Sequence, residues 1–270
     1  MWVKDAEREM LSQERRRLVE RLKTRKGRPR EGLVLVEGVR AAREVLSAGP
    51  DVRFGVLSSR LNDSEVGRVL ASDLADRGVD IALVDDAELS QLSDTEHPQG
   101  VLLICSEPRM DLTELQDRDP RTLLLLDGLQ DPGNLGTLVR AAHAFAVGAV
   151  VVLDGSVDPW NAKAVRASAG ASFHVDVVRA DWTSCGPWLE DRGIGVLAAD
   201  PAGDDVNALG PERPWALAVG NEGVGLRAEI LVAARQRVGI PMPGRPNSLN
   251  AGVAGSILLY VLLTPGSVSS

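Results

Sequence analysis

Three glycine-punctuated segments each follow an apolar stretch and carry polar side chains. Asp127 to Arg140 reads DGLQDPGNLGTLVR, Gly220 to Leu226 reads GNEGVGL, and Ile240 to Asn250 reads IPMPGRPNSLN. Glycine lets a ligand approach the backbone closely, and in doubly wound sheets the loops beyond the strand carboxyl ends form the ligand crevice. Arg140, Glu222 and Asn250 are polar groups suited to catalysis, one per segment. Any one segment reads equally well as a tight connection in which glycine supplies positive φ. Three in one domain, each so equipped, point to a shared site. Asn134 sits at an expected helix start, where it either caps backbone amides or serves the site. Ser248 has the same two readings, with an ordinary N-cap as the rival.

Other chemistries find less support. The strand at 122–127, the turn after it and Asp154 at the end of the next strand imitate a dinucleotide site, but Gly128, Gly133 and Gly136 lack the GxGxxG spacing. His97, His143 and His174 are the only histidines and no GxSxG elbow occurs. No spacing suggests metal ligation. Cys105 and Cys185 provide neither a disulfide framework nor a CxxC pair.

The elements that must position these groups follow from patterning. The chain has 270 residues, 44% hydrophobic and 25% charged, enough for one large domain or two ordinary ones. No apolar run reaches the roughly 18 residues of a membrane span, and the N-terminus MWVKDAEREMLSQERRR is charged where a secretory signal needs an apolar core. The expectation is a cytoplasmic protein that uses neither membrane nor metal. A helix is expected from about Asp5 to Lys23, then strands at 33–37, 52–58, 80–85 and 101–105 alternating with helices. Residues 106–121 are polar and read as a linker. Strands at 122–127, 149–154, 175–178, 194–200, 215–220 and 237–241 follow, and a last helix from about Ser248 to Leu263. Unbroken runs such as LLLL and VVVL suit parallel strands covered on both faces. The expected class is α/β in two domains, 1–107 and 122–270, joined by 108–121.

Net charge is −8, yet residues 15–30 hold nine Lys/Arg against Glu20 alone. Residues 1–40 hold twelve basic and seven acidic side chains, a net of +5, which leaves −13 for the remainder. Phosphate contact depends on charge near the backbone rather than on the sum, so Arg25, Lys26, Arg28 and Arg30 are candidate nucleic-acid contacts. The alternative is a solvated helix face.

The three segments, in this order, resemble the motifs of the SpoU (TrmH-like) family of RNA 2′-O-ribose methyltransferases, of the knotted SPOUT class. Asn134-Leu-Gly136, Arg140 and Phe145 resemble the first motif and Gly220–Leu226 the second. Ile240-Pro-Met and Ser248-Leu-Asn250 through Leu258-Leu-Tyr260 resemble the third. Lys163 to Gly170 is similar to a further family segment, and LVLVEGVRAAREVLSAG, with Glu37-Gly38, resembles an L30e-like RNA-binding domain. Two positions depart: Ala146 replaces a usual glycine and Ala251-Gly252 a typical Val-Ser.

The resemblance implies an N-terminal L30e-like domain and a trefoil-knotted parallel-sheet methyltransferase domain. It implies S-adenosylmethionine held by Val219, Gly220, Ile240, Met242 and Leu249, a catalytic set of Asn134, Arg140, Glu222, Ser248 and Asn250, and a homodimer through the catalytic domain. It implies RNA as substrate, with ribosomal RNA favoured over tRNA. A catalytically silent RNA-binding protein and a nicotinamide-dependent enzyme are the alternatives. Guanidinium groups stay protonated in proteins, so Arg140 reads first as an anchor for phosphate and hydroxyl, and as a base only after ligand-induced deprotonation.

Overall fold

The computed structural model describes residues 11–24, 26–210, 212–244 and 249–264. The chain forms two compact units. One runs to Pro108 and also takes in Trp160–Phe173; the other comprises Arg109–Pro159 and the chain from His174 onward. The division therefore differs from a simple cut near residue 115. The expected linker carries a short helix and belongs to the second unit, while an internal segment of the second half is built into the first.

The first unit contains helix α1 (Gln13–Lys23), the short α2 (Arg28–Glu31), β1 (Leu33–Glu37), α3 (Val39–Ala48), β2 (Val52–Leu57), α4 (Glu65–Asp76), β3 (Ile81–Leu83), α5 (Asp86–Leu92) and β4 (Val101–Ser106). Ser12 caps α1 by accepting from Arg15 N, so within the described residues the expected first helix begins later than Asp5. The sheet order is β1-β4-β2-β3. β4 runs antiparallel to both β1 and β2, and β2 and β3 are parallel. Leu35, Phe54, Val56, Leu102 and Ile104 meet Val19 and Leu22 of α1 in its core.

Glu37, at the end of β1, is a buried carboxylate. It accepts from the Ser93 and Thr95 hydroxyls and from Arg166 Nη1 at 3.2 Å. An unpaired buried charge is costly, and these donors offset that cost. Glu37 thereby ties Arg166 of the Trp160–Phe173 segment to the end of β1.

The second unit contains α6 (Leu112–Gln116), β5 (Thr122–Leu126), α7 (Pro132–Ala144) and β6 (Ala149–Leu153). The chain then passes through α8 (Ala162–Ala167), which belongs to the first unit, and returns as β7 (Asp176–Ala180), α9 (Trp182–Asp191), β8 (Gly195–Asp205), β9 (Trp215–Val219), α10 (Ala228–Ala233), β10 (Ala234–Gly239) and α11 (Ala251–Leu263). The strand order is β10-β8-β9-β5-β6-β7, with every neighbouring pair parallel. All residues of β5, β6 and β9 are buried, as strands covered on both faces require. The chain moves outward from β5 through β6 to β7 and then jumps back to β8. The switch point, where ligand crevices form, is therefore the gap between the ends of β5 and β9.

Asp131 caps α7, accepting from Gly133 N at 2.9 Å, with Pro132 in its first turn. Asn250 caps α11, accepting from Val253 N at 3.2 Å. The cap reading of Asn134 is thus corrected, because Asn134 lies inside the helix. The last helix takes Asn250 as its cap, and Ser248, the candidate cap, lies outside the described residues. Ala146 takes φ +53, a left-handed conformation that favours glycine, where the family pattern carries glycine.

Candidate active site

α7 and α11 pack against one another, and two glycines of α11 permit it. A Cβ on Gly255 would stand 2.4 Å from Leu138 Cδ2, and one on Gly252 would stand 3.2 Å from Asn134 Oδ1. The close approach brings Asn250 Nδ2 to 2.8 Å from Asn134 Oδ1. Asn134 Nδ2 in turn donates to Glu222 Oε1 at 2.8 Å. One residue from each of the three glycine-punctuated segments therefore meets in a single hydrogen-bonded row. Its polarity is fixed from one end. A carboxylate only accepts, so Asn134 must present its amide nitrogen to Glu222 and its oxygen to Asn250. Asn250 then has its own oxygen left to cap Val253 N.

Glu222 projects from a tight turn. Asn221 N and Gly225 N each donate to the other residue's carbonyl at 3.0 Å, and Asn221 Oδ1 accepts from Gly223 N at 2.8 Å. A Cβ on Gly220 would lie 2.4 Å from backbone atoms of Gly225 and Leu226, so this position admits only glycine. Burial by itself would raise the Glu222 pKa. Donation from the Asn134 amide, with backbone N–H groups of the 130–131 turn, outweighs it and holds the carboxyl below the usual carboxylate range.

Beside Glu222 lies a cavity of about 370 Å³. Val219, Gly220, Ile240, Met242 and Leu249, the residues expected to hold the cofactor, all line it. Sequence reasoning missed Asp200 and Pro201 on the same wall. They reach it because the register between β8 and β10 shifts after Ala198, and a bulge of this kind leaves no periodic signal in sequence.

Arg140 does not join the row. It sits on the exposed stripe of α7 with Thr137 and Ala144, six residues beyond Asn134 and, at 100° per residue, about 120° around the helix. Its side chain has no hydrogen bond or ion pair among the described residues. His143 is exposed, with its ring stacked on His174 at 5.1 Å. Asp154, the would-be ribose ligand of a dinucleotide site, is instead bound by Arg227 Nη1 at 2.9 Å. That same guanidinium binds Asp127, and the two carboxylates raise the Arg227 pKa despite the opposing effect of burial.

Of the candidate RNA contacts, Lys26 and Arg30 are exposed and Arg25 lies outside the described residues. Arg28 is 2% exposed, so its guanidinium offers no surface charge and the expectation for it is corrected. Much of the remaining basic segment is internally paired: Arg15 with Asp80, Arg16 with Glu88, Arg21 with Glu31, and Lys23 with Glu20 and Asp94.

Residues 121–260 match the SpoU rRNA Methylase family and residues 14–103 an MRM3-like substrate binding domain. The chain belongs to the SpoU rRNA methylase family. It is 33% identical to the 23S rRNA (guanosine(2553)-2′-O)-methyltransferase RlmP of Bacillus subtilis over 90% of this chain and 93% of that one. It is 31% identical to a 23S rRNA (uridine(2479)-2′-O)-methyltransferase of Streptomyces viridochromogenes over 88% and 85%. It superimposes with a TM-score of 0.79 on the SpoU methyltransferase AviRb from Streptomyces viridochromogenes in complex with AdoMet, at 27% identity over 92% of this chain and 97% of that one. All three converging segments fall within the matched range 121–260.

The row makes a pH prediction. A carboxyl held low contributes stability above its unfolded-state pKa, and that contribution is lost as pH falls through the lower folded value. Asn134→Ala removes the side-chain donor, so the Glu222 midpoint, followed by carboxyl NMR, moves to higher pH and the loss begins earlier on acidification. An unmoved midpoint would show that the amide does not hold it.

Proposed function

We propose that this chain transfers a methyl group from S-adenosylmethionine to a ribose 2′-hydroxyl of RNA, and that the RNA is 23S ribosomal RNA. The observation that carries this reading is the row Asn250–Asn134–Glu222 at a cavity whose wall suits the cofactor. Val219, Met242, Leu249 and Leu258 offer an apolar surface for the base, while the Gly220–Gly225 turn and Ile240 bring backbone groups to its edge. Asp200 and Glu222 put carboxylates where a sulfonium cation is favoured. The volume lies within the roughly 300–1,000 Å³ of small-molecule sites. When bound, the cofactor supplies an electrophilic methyl on a sulfur that departs without needing a proton.

The work left to the protein is to hold the hydroxyl in line and ease the loss of its proton. Ionised Glu222 orients a hydroxyl or a cation at the site. Asn134 and Asn250 keep it there, since leaving a buried amide unpaired would cost about 1–3 kcal/mol. Arg140 anchors the target phosphate and hydroxyl. A silent RNA-binding protein is the weaker reading, because the polar row and the apolar wall are both intact.

The proposal includes a homodimer through the second unit. Val253, Ile257 and Tyr260 are 36–46% exposed along one side of α11, and Phe145 packs on Tyr260 with ring centroids 5.8 Å apart. An apolar stripe of this kind is what a second copy would cover. The family's knotted course of the C-terminal chain belongs to the same reading, supported by the all-parallel sheet. The first unit is assigned to RNA contact, with Lys26 and Arg30 among its exposed cations and ribosomal RNA preferred to tRNA.

The direct test is methyl incorporation from labelled cofactor into 23S rRNA against tRNA, with the methylated ribose mapped. Transfer to tRNA alone would overturn the substrate, and transfer to neither would overturn the activity. In that assay Arg140→Ala should lower kcat by roughly 100-fold or more while cofactor affinity stays near wild type. Lys26→Ala with Arg30→Ala should flatten the salt dependence of RNA binding, by about 0.7 in log–log slope for each single-strand phosphate left without its cation. Ile257→Asp should yield monomers in sedimentation, whereas an unchanged mass would place the interface elsewhere.

A further inference from the structure

Two side chains outside the family's catalytic set organise the turn that faces Glu222. Gln130 Nε2 donates to two carbonyls at once, Gly128 O at 3.0 Å and Gly155 O at 2.6 Å. These carbonyls belong to glycines with φ of +66 and +84 just past the ends of β5 and β6. The Gln130 backbone N–H points to Glu222 Oε2 at 3.4 Å. Arg227 closes the other side. Its backbone N donates to Asp127 Oδ2 at 2.8 Å and its Nε to Oδ1 at 2.7 Å. Its Nη1 and Nη2 reach Asp154 Oδ1 at 2.9 Å and the Asp154 carbonyl at 2.8 Å.

The turn bearing Glu222 and the turn bearing Gln130 are thus fastened at three points. Asn221 Nδ2 donates to Gly128 O at 2.8 Å, Gln130 N meets Glu222, and Arg227 grips Asp127. Asp127 has a side chain only 4% exposed, so its charge fixes the guanidinium strongly. Neither Gln130 nor Arg227 lines the cavity. From this geometry we propose that Gln130 and Arg227 are positioning residues, setting the orientation of Glu222 across the β5–β9 switch point without touching cofactor or RNA. The inference rests on the methyl-transfer reading for its catalytic consequence, though not for its effect on Glu222.

A planar fork can satisfy Asp127 and Asp154 together, which an ammonium cannot. The test therefore uses Arg227→Lys, which keeps a charge beside Asp127, and Gln130→Leu, which removes the two side-chain bonds and leaves the backbone N–H. Each full-length variant is measured for kcat, cofactor affinity, Tm and the Glu222 carboxyl titration by NMR. The expected result is a fall in kcat of up to roughly 100-fold with cofactor affinity unchanged and the Glu222 midpoint moved upward, at a temperature well below either variant's Tm. Gln130→Asn, too short to span both carbonyls, should behave like Gln130→Leu. A wild-type midpoint and kcat in both main variants would overturn the proposal and leave the brace purely structural. If the wild-type protein methylates no RNA while the midpoint still moves, the methyl-transfer reading fails and the positioning role stands.

Discussion

The second unit depends on a hydrogen-bonded row that runs in one direction only. It starts at the backbone amide of Val253 at the head of α11, passes through Asn250 and Asn134, and ends on the Glu222 carboxylate. Each side-chain amide has one donor end and one acceptor end, so the carboxylate dictates the orientation of every member. Replacing either asparagine by a carboxylic acid would face oxygen with oxygen. The row also ties three loops that are remote in the chain, which is why an asparagine buried inside α7 is tolerated: both ends of its amide are used.

Such a row needs backbones closer than ordinary side chains allow. Gly252 and Gly255 let α11 settle on α7, and Gly220 lets the Asn221–Gly225 turn fold back on itself. The parallel sheet supplies the rest. Because β5 and β9 are neighbours with opposite onward directions, the turns after both open into one gap, and the bulged end of β8 completes a wall there. The three segments that the switch point brings together all lie within the range that matches the family.

Charge in the first unit follows a different logic. Its N-terminal segment is strongly basic in sequence, yet Arg15, Arg16, Arg21 and Lys23 are engaged with acids of the same unit, and Arg28 is buried. Counting residues measures composition, whereas a polyanion meets only what is exposed and unpaired. Glu37 shows the same point from the acidic side, since its carboxylate is occupied by Arg166 and two hydroxyls rather than offered outward.

Alternation of apolar runs with amphipathic stretches, together with glycine and proline punctuation, was enough to locate nearly every strand, to assign the α/β class and to single out Arg140, Glu222 and Asn250, whereas Asn134 stayed between cap and site until the resemblance was added. Those signals are local, set by side-chain period and backbone freedom. Three things were not local. Asn134 kept a cap among its two readings because Asp131 and Pro132, which start α7, lie within three residues of it. Arg140 was expected at one site with Glu222 and Asn250, but linear proximity to a motif says nothing about which side of a helix a residue occupies, and Arg140 lies on the exposed stripe of α7. The inclusion of Trp160–Phe173 in the first unit rests on contacts between residues far apart in the chain, among them Ala162 in the core and the pair of buried Glu37 with half-buried Arg166. Pairing across such distances is decided by packing and burial, and no spacing rule in one dimension encodes it.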